Sequence, residues 1–392
     1  MATTVAEAGP GIDFSLSEDQ LLIQEQVRRF AEERIAPGEA VRDREHRFPA
    51  DVVSELAEMG LLGVMVPEEY DGAGLDPLTY VLIIEELSRI SPSVGVTVSV
   101  TNSVCCWPIV RFGSEELKRR VLPDLAAGGE LGAFALTEPG AGSDAASLAA
   151  RARRDGDHWV LDGEKAWITN AGIARWYVVM ARTDPEAGKR GISAFVVPSD
   201  APGLRVGAVE EKVGLRASRT SALVLDGCRV GAENLLGREG EGLKIALSTL
   251  DHSRLGIAAQ ALGMHRRGLE LATGYARERV QFGVPIARHQ AVQFQIAEIA
   301  TSLAAARTLT HHAALVSAEG APEAGRLASE AKVLATEAAN RGVWLAQQIH
   351  GGNGFSEEYE IGRLYRDVRV TTIYEGTSEM QRLVIARKLL RT

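Results

Sequence analysis

The hydrophobic periodicity of the chain changes twice, and this change constrains the fold more than any other feature of the sequence. Apolar residues recur at helical spacing in the first third, alternate with polar residues in the middle third, and return to helical spacing in the last third. Because helices and strands bury one face only with different apolar repeats, the three regions must differ in structure. We predict an α+β protein with an N-terminal α-helical domain (14–130), a middle β-barrel-like domain (131–240) and a C-terminal four-helix bundle (241–392).

Helix boundaries are signalled in the first region. Ser17 and Gln20 have the spacing of a capping box, and the apolar residues that follow them predict a helix that ends at Pro37. Further helices are predicted to begin at Pro49, which suits a first turn, and at Asp76–Pro77, where the aspartate can cap. The first region is therefore predicted to consist of helices joined by short connections.

Strands are predicted in the middle region and long helices after it. The segment HWVLDGEKAWITN, residues 158–170, predicts two strands around a turn at Asp162 and Gly163, and four more short apolar segments bounded by turn residues follow it. Beyond them, two alanine-rich stretches at 286–318 and 323–350, with short connections, predict four antiparallel helices.

Charge and cysteine content argue against several classes of function. The formal net charge of -9 provides no electrostatic basis for binding nucleic acid or an anionic membrane. Cys105 and Cys106 are neighbours among three cysteines, which argues against a disulfide framework and shows no metal-ligand spacing. The first thirteen residues resemble neither a signal nor a transit peptide, and we expect no apolar run long enough to span a bilayer. These observations predict a cytoplasmic protein without a metal.

A glycine-rich segment, FALTEPGAGSDAAS at 134–147, follows an apolar strand. Its small and hydroxyl residues predict a tight loop with exposed backbone N–H groups, which can bind a pyrophosphate. The spacing differs from that of the dinucleotide fingerprint, and the lysine of a P-loop is missing. Taken alone, the segment fits an ordinary turn at least as well as a cofactor site.

Two motifs together make the sequence similar to a known family. ALTEPGAGSDAAS resembles the first signature of the acyl-CoA dehydrogenases, and QIHGGNGFSEEYEIGRLYRD resembles the second. Four further family segments stand in the same order: EKAWITN, EEKVGLRASRTS, RERVQFGVPIARHQAVQF and IYEGTSEMQRLVIAR. The resemblance covers residue 14 to the C-terminus, and the chain is identified as a member, with the short-chain or butyryl type as the nearest branch. It implies the fold of that family.

The resemblance implies FAD as the cofactor. In the family, the corresponding segments lie along the flavin, with an aromatic residue beside the isoalloxazine ring and a hydroxyl near N5. The residues that match these positions are Phe134, Leu136, Thr137, Gly142, Ser143, Trp167, Ile168, Thr169, Thr377 and Glu379. Trp167 taken alone fits an ordinary core aromatic better.

A second group matches positions that in the family reach the FAD of a neighbouring subunit. It consists of Arg279, Gln281, Phe282, His289, Gln290, Gln348, Gly351 and Gly352. The planar guanidinium of an arginine suits a diphosphate. A solvated helix end is the simpler explanation for Arg279 and Gln281, and a capping or surface histidine is the simpler explanation for His289. The resemblance implies a homotetramer, built as a dimer of dimers.

An acyl-CoA substrate is implied for a third group. Its members are Ser143, Asp251, Arg254, Tyr374, Gly376, Val96, Thr97, Thr101 and Val104. A surface ion pair explains Asp251 and Arg254 equally well, because residues three apart share a helix face, and helix packing explains the small residues. The overall pattern resembles short-chain members, so we expect short or short branched acyl groups.

Removing hydrogen across Cα and Cβ of a thioester requires a base for the α proton, and the resemblance assigns this role to Glu375. Other branches place the base at the position of residue 253, which is Ser253 here and has no useful basicity. The backbone N–H of Glu375 would also hold the thioester oxygen. A solvated glutamate before a helix N-terminus, capped by Thr377, fits the local sequence equally well.

We expect the electrons to pass to an electron-transfer flavoprotein. An acyl-CoA oxidase or a flavin monooxygenase on the same fold is the enzymatic alternative, and a catalytically silent FAD-binding scaffold is the non-enzymatic one. The glutamate retained in IYEGT argues against the scaffold.

Overall fold

The computed structural model describes residues 15–390. The first fourteen residues, with the segment that was considered as a targeting peptide, and the last two lie outside the described residues. Seven α-helices precede the first strand: α1 (Glu18–Phe30), α2 (Ala36–Glu45), α3 (Ala50–Glu58), α4 (Pro77–Ile90), α5 (Pro92–Val100), α6 (Trp107–Phe112) and α7 (Glu115–Ala126).

The predicted starts at Ser17 and at Asp76–Pro77 are confirmed, and α3 begins one residue after Pro49, but the predicted end at Pro37 is wrong. Ser17 Oγ accepts from the Gln20 N–H, and the Gln20 side chain accepts from the Ser17 N–H at 3.0 Å. The helical chain then continues through a π-helical turn, Ala31–Ile35, into α2. Because the helical hydrogen-bond pattern changes at this turn, Pro37 falls in the first turn of α2, where a missing N–H is tolerated.

Eight strands follow: β1 (Leu131–Ala135), β2 (Arg151–Asp155), β3 (His158–Thr169), β4 (Ala174–Arg182), β5 (Ile192–Pro198), β6 (Leu204–Val209), β7 (Thr220–Gly231) and β8 (Leu235–Leu236). They form one sheet in the order β6-β7-β3-β2-β4-β5-β8, and β1 pairs with β4 in parallel. The sheet buries a run of small and branched residues from β4 and β5.

The predicted turn at Asp162 and Gly163 is wrong, because β3 runs through both residues. Both halves of β3 pair with β7, and the register shifts between Leu161 and Gly163. Gly163 has a φ of +146°, and a Cβ there would lie 2.7 Å from the Ala150 Cα. The two residues therefore form an irregularity inside one strand, where glycine permits a close approach of the neighbouring chain.

The last region is helical again: α8 (Gly242–Glu278), α9 (Gln290–Ala318), α10 (Ala324–His350), α11 (Glu360–Val368) and α12 (Ser378–Leu390), with a small hairpin of β9 (Val280–Gln281) and β10 (Val284–Pro285) after α8. Helices α8, α9 and α10 pack on one another, and α12 packs on α10. Buried small residues recur along one face of α10, which allows this close packing: Ala328, Ala331, Ala335, Ala339, Gly342 and Ala346. The predicted α+β fold class is confirmed.

The expectation that no apolar run is long enough to span a bilayer is wrong when only length and composition are considered. Within residues 15–390 one helical stretch, Pro92–Phe112, has 21 residues and is apolar enough to cross a membrane. However, 89% of its most apolar window is buried inside the protein, against α8 and β1 among others. The stretch is apolar because it fills the core, as in a buried helix of a globular protein.

Candidate active site

The glycine-rich loop is fixed to the sheet by its first residues. The Ala166 N–H donates to the Thr137 carbonyl at 2.9 Å, and Glu138 and Ala141 exchange two backbone hydrogen bonds around Pro139 and Gly140. This pairing makes a tight turn directly beside β3. The loop therefore lies next to the part of β3 that carries Trp167.

A buried ion pair beneath this loop is a feature to which the sequence analysis assigned no role. Lys165 is fully buried, and its Nζ lies 2.6 Å from Glu138 Oε1. The same carboxylate accepts from the backbone N–H groups of Ala149 and Ala150, while Lys165 also donates to the Leu136 carbonyl. Burial lowers the pKa of Lys165, although the Glu138 carboxylate opposes this shift. The pKa of Glu138 is also lowered, because burial, which would raise it, is outweighed by Lys165 and the two backbone donors. The pair joins both ends of the loop to β3.

The outer side of the loop is open and offers donors. Gly142 and Ser143 are exposed, and no atom lies within 4 Å of where a Cβ would sit on Gly142. Trp167 is 60% exposed with a φ of +61°, so it is not a core aromatic. Thr169 is half-buried, whereas the side chains of Leu136 and Ile168 are buried. No described acceptor is bonded to the Gly142 and Ser143 N–H groups, and such donors beside an exposed aromatic face fit a flavin diphosphate and ring.

Glu375 lies in a setting that raises its pKa. It is partly buried as a residue, but its Oε2 is fully buried and no described residue donates to it. Burial raises the pKa of Glu375 to about 7, while the nearby Ser253 hydroxyl and the charges of Lys332 and Arg254 oppose the rise. This is not the environment of a solvated glutamate before a helix. Ser253, the alternative family position, lies near enough to influence the carboxylate, and its Oγ donates to the Leu250 carbonyl at 3.3 Å.

The backbone around Glu375 is held by residues that the sequence analysis missed. Gln381 Nε2 donates to the carbonyls of Glu375 and Gly376 at 3.2 and 2.9 Å, and Lys332 Nζ donates to the Gly376 carbonyl at 2.8 Å. Thr377 Oγ1 accepts from the Met380 N–H, as predicted for the cap of α12. Gln381 is six residues from Glu375 and could have been noticed, but nothing local in the sequence points to Lys332.

A small apolar cluster contains residues that directly precede the glycine-rich loop and Glu375. Val96, Val100, Val104 and Leu215 form its buried part, with Phe134, Val370 and Tyr374 packed against it. Phe134 lies near the end of β1, just before the glycine-rich loop, and Tyr374 precedes Glu375, so the cluster connects the two groups of predicted residues. It provides an apolar lining of the kind that an acyl chain requires.

The two predicted threonines of the same helical stretch make structural hydrogen bonds. Thr97 Oγ1 donates to the Ser93 carbonyl, and Thr101 Oγ1 accepts from the Gly132 N–H in β1. Asn170, another residue without an assigned role, donates to the carbonyls of Thr97 and Gly132. These bonds attach the helical stretch to β1, which leads into the loop.

A second polar bridge was also missed. The Gln260 amide is fully buried in α8, where Nε2 donates to the Pro92 carbonyl at 2.9 Å and Oε1 accepts from the Tyr374 hydroxyl. A buried amide without these partners would be costly. Gln260 therefore fixes the Tyr374 side chain beside the apolar cluster.

Asp251 and Arg254 are not a surface ion pair. Arg254 is 5% exposed, and its Nη1 donates both to Asp251 and to Ser329 Oγ. Lys388 approaches the other carboxylate oxygen of Asp251 at 3.7 Å. The pair is thus anchored across three helices, on the same end of α8 as Ser253.

The residues predicted to reach a neighbour's cofactor lie far from Glu375 in this chain. Arg254 and the C-terminal end of α8 at Glu278 are separated by roughly 36 Å along a continuous helix. Beyond this end, Phe282 is 93% exposed and meets the His289 ring edge-on at 5.8 Å. The group as a whole surrounds the exposed β9–β10 hairpin and the far end of α10: Arg279, Gln281, Phe282, His289, Gln290, Gln348, Gly351 and Gly352.

Three family models match almost the whole described chain. They are the N-terminal domain of acyl-CoA dehydrogenase at residues 17–129, the middle domain at 133–228 and the C-terminal domain at 240–390. The chain belongs to the acyl-CoA dehydrogenase family. The resemblance inferred from the two signatures is therefore confirmed.

Individual members of the family are similar over nearly their full length. The mitochondrial short-chain specific acyl-CoA dehydrogenase of Bos taurus is 47% identical over 377 residues, which are 96% of this chain and 91% of that one. The structure of butyryl-CoA dehydrogenase from Megasphaera elsdenii has a TM-score of 0.95 at 41% identity, covering 97% and 100% of the two chains. A glutaryl-CoA dehydrogenase from Mycobacterium smegmatis, solved with FADH2, has a TM-score of 0.90 at 35% identity, covering 96% of each chain.

Proposed function

We propose that this acyl-CoA dehydrogenase uses FAD to convert a short-chain acyl-CoA to its trans-2-enoyl-CoA, with Glu375 as the base. The observation that carries the proposal is the Glu375 carboxylate, whose pKa burial raises to about 7, next to Tyr374, which packs with Phe134 against one apolar cluster. A base whose pKa lies near neutrality is suited to accept a carbon-bound proton.

The residues of this chain have distinct parts in the reaction. Glu375 would take the α proton, and burial against an apolar chain keeps its carboxylate weakly hydrated and basic. No described acceptor is bonded to the Glu375 backbone N–H, which leaves this donor for the thioester oxygen as negative charge develops there. Bound FAD would supply the acceptor for the β hydrogen.

Members of this family are flavoproteins, and the open loop fits that cofactor. Phe134, Gly142, Ser143, Trp167 and Thr169 would hold FAD from the sheet, and Thr377 and Glu379 from the start of α12. The exposed aromatic face and the open space at Gly142 support this assignment. We propose an electron-transfer flavoprotein as the physiological acceptor, in line with the family.

The preference for short acyl groups is supported by the bridge between Gln260 and Tyr374. Val96, Val100 and Val104 line the cluster, and the buried amide of Gln260 lies beside it, bonded to Tyr374. A long apolar chain would have to displace this polar bridge, which is unfavourable. The 47% identity to a short-chain specific enzyme agrees with this preference.

Assembly into a homotetramer is proposed from the distance between the two groups of cofactor residues. Because Arg279 and Gln348 lie at the far ends of α8 and α10, they can serve a flavin near Glu375 only from another subunit. The nearly complete exposure of Phe282 supports a partner at this end. We retain 14–130, 131–240 and 241–392 as the proposed domains, and Asp251 and Arg254 as CoA contacts.

The visible spectrum of the purified protein provides the test. Yellow protein that is bleached by butyryl-CoA without oxygen, and reoxidised only when an acceptor dye is added, supports the proposal. Rapid peroxide formation in air would indicate an oxidase. A spectrum that no acyl-CoA changes would contradict the proposed chemistry.

A further inference from the structure

Lys332 is a buried lysine whose ammonium group reaches the backbone of the Glu375 segment. It lies in α10, is fully buried, and donates from Nζ to the Gly376 carbonyl at 2.8 Å. Burial lowers the pKa of Lys332 to about 8, and the nearby Glu375 opposes this shift. A buried ammonium is unfavourable unless it is compensated, so its position next to the proposed base requires an explanation.

The backbone that Lys332 contacts adopts an unusual conformation. Glu375 has a φ of +49° and Gly376 a φ of +91°, so two successive residues are left-handed. This conformation is unfavourable for a glutamate and needs support from outside the segment. Gln381, fully buried in α12, donates to both carbonyls of the pair, and Lys332 donates to the second. Two side chains from two helices therefore hold the turn.

We propose that Lys332 is a positioning residue that acts through Glu375: with Gln381 it holds the Glu375–Gly376 turn in its left-handed conformation, and so directs the carboxylate toward the apolar cluster. The inference rests on the proposed role of Glu375 as the base. The charge of Lys332 also favours the ionised carboxylate, because among residues 15–390 its ammonium is one of the two cations that act on Glu375.

Other charged and titratable groups face this pair from each neighbouring element. Arg254 of α8 acts on both Glu375 and Lys332, Glu337 of α10 and Glu379 of α12 act on Lys332, and the phenols of Tyr80 and Tyr374 are influenced by Glu375. With Lys332 removed, Arg254 is the remaining cation. Loss of the ammonium should raise the pKa of Glu375 further, so that a reaction requiring the carboxylate shifts to higher pH.

The test compares Lys332→Met with Lys244→Met, an exposed lysine on α8. Both holoenzymes are mixed with butyryl-CoA without oxygen, and the bleaching rate is followed from about pH 6 to about pH 9, a range that spans the proposed titration. For Lys332→Met we expect a rate at least ~10-fold lower at neutral pH, since a misplaced base slows the reaction, and a pH profile displaced upward. Lys332→Arg should restore part of both. Hydrogen exchange of the peptide from Tyr374 to Gln381 should become faster in Lys332→Met alone.

The outcomes separate this inference from the proposed function. If the parent enzyme is not bleached, the proposed function fails; if the parent is bleached but Lys332→Met keeps its pH profile and its exchange rates, only the inference fails. A variant that is slower at every pH by the same factor, with unchanged exchange, also overturns it. If Lys332→Met does not fold, Lys332→Gln takes its place. If Lys244→Met binds FAD but no variant at position 332 does, Lys332 has a role in folding alone and the inference fails.

Discussion

Replacing Lys165 by methionine tests whether its ion pair with Glu138 holds the glycine-rich loop. Lys165 is fully buried, and its Nζ lies 2.6 Å from the Glu138 carboxylate. Removing one partner of a buried pair costs about 3–5 kcal/mol, because the other charge is left uncompensated. In the variant, the N–H groups of Ala149 and Ala150 still donate to Glu138. We therefore expect the loss near the lower end of that range, about 3 kcal/mol.

Thermal unfolding and flavin content measure this effect. At roughly 2 °C per kcal/mol, the Tm of Lys165→Met should fall by about 6 °C. Less FAD should remain after gel filtration, because the Leu136 carbonyl loses its donor and the loop is held less firmly. Lys189→Met, an exposed lysine of the same region, serves as the matched control. Adding Glu138→Gln to Lys165→Met should recover about half of the loss, since a neutral amide can remain on the same N–H donors.

Two results would refute this reasoning. One is a Lys165→Met protein with the Tm and flavin content of the parent, which would mean that the pair is energetically neutral. The other is a double variant no more stable than the single one, which would mean that the uncompensated charge of Glu138 is not the cause of the loss.

Three other predictions follow from the same geometry. Gly376→Ala, whose Cβ would lie 2.6 Å from the Gln381 Nε2 at a φ of +91°, should bleach ~10-fold more slowly yet remain yellow, the equivalent of about 1.4 kcal/mol; an unchanged rate would contradict it. Gln260→Ala should raise the turnover of octanoyl-CoA relative to butyryl-CoA, because the polar bridge is removed; an unchanged ratio would count against the pocket assignment. Burial lowers the pKa of His252 to about 4 from 6.5, so the unfolded chain binds this proton more tightly. Stability should be retained above about pH 6.5 and lost as the pH falls toward 4, and His252→Phe should show a smaller fall in Tm between about pH 7 and about pH 5.

The fold class followed from periodicity because each region repeats its apolar residues over several turns or strands. Helix starts were predicted equally well where the capping residue bonds to a residue close in sequence. Ser17 bonds with Gln20 in this way, and Asp76 accepts from the Thr79 N–H. Pro37 misled the analysis because a π-helical turn, which depends on tertiary packing, moved it to a position that tolerates proline. Gly163 misled it because a glycine after an aspartate predicts a hairpin, whereas here it permits a close approach to Ala150.

Some residues of the candidate site could likewise be predicted from local sequence, whereas others could not. Motif resemblance predicted roles for Glu375, Trp167 and Ser143, since these stand in contiguous segments. The residues that hold Tyr374 and Gly376 on either side of Glu375 could not be found in this manner. Lys332, which binds the Gly376 carbonyl, is forty-three positions from Glu375 on another helix, and Gln260, which binds Tyr374, is more distant still. Their roles depend on where the helices cross, which a sequence pattern in one segment does not encode. Only the structure shows that Ser253 is near enough to Glu375 to influence the pKa of its carboxylate.

The identity of the base is the central claim, and anaerobic bleaching of Glu375→Gln by butyryl-CoA tests it most directly. The variant should keep its yellow FAD and still bind acyl-CoA, yet bleach at least ~10²-fold more slowly, the lower end expected for removing a general base. Because Ser253 lies near enough to Glu375 to influence its pKa, adding Ser253→Glu should place a new carboxylate within reach of the α proton and restore part of the rate. A Glu375→Gln protein that bleaches at close to the parent rate would contradict the account.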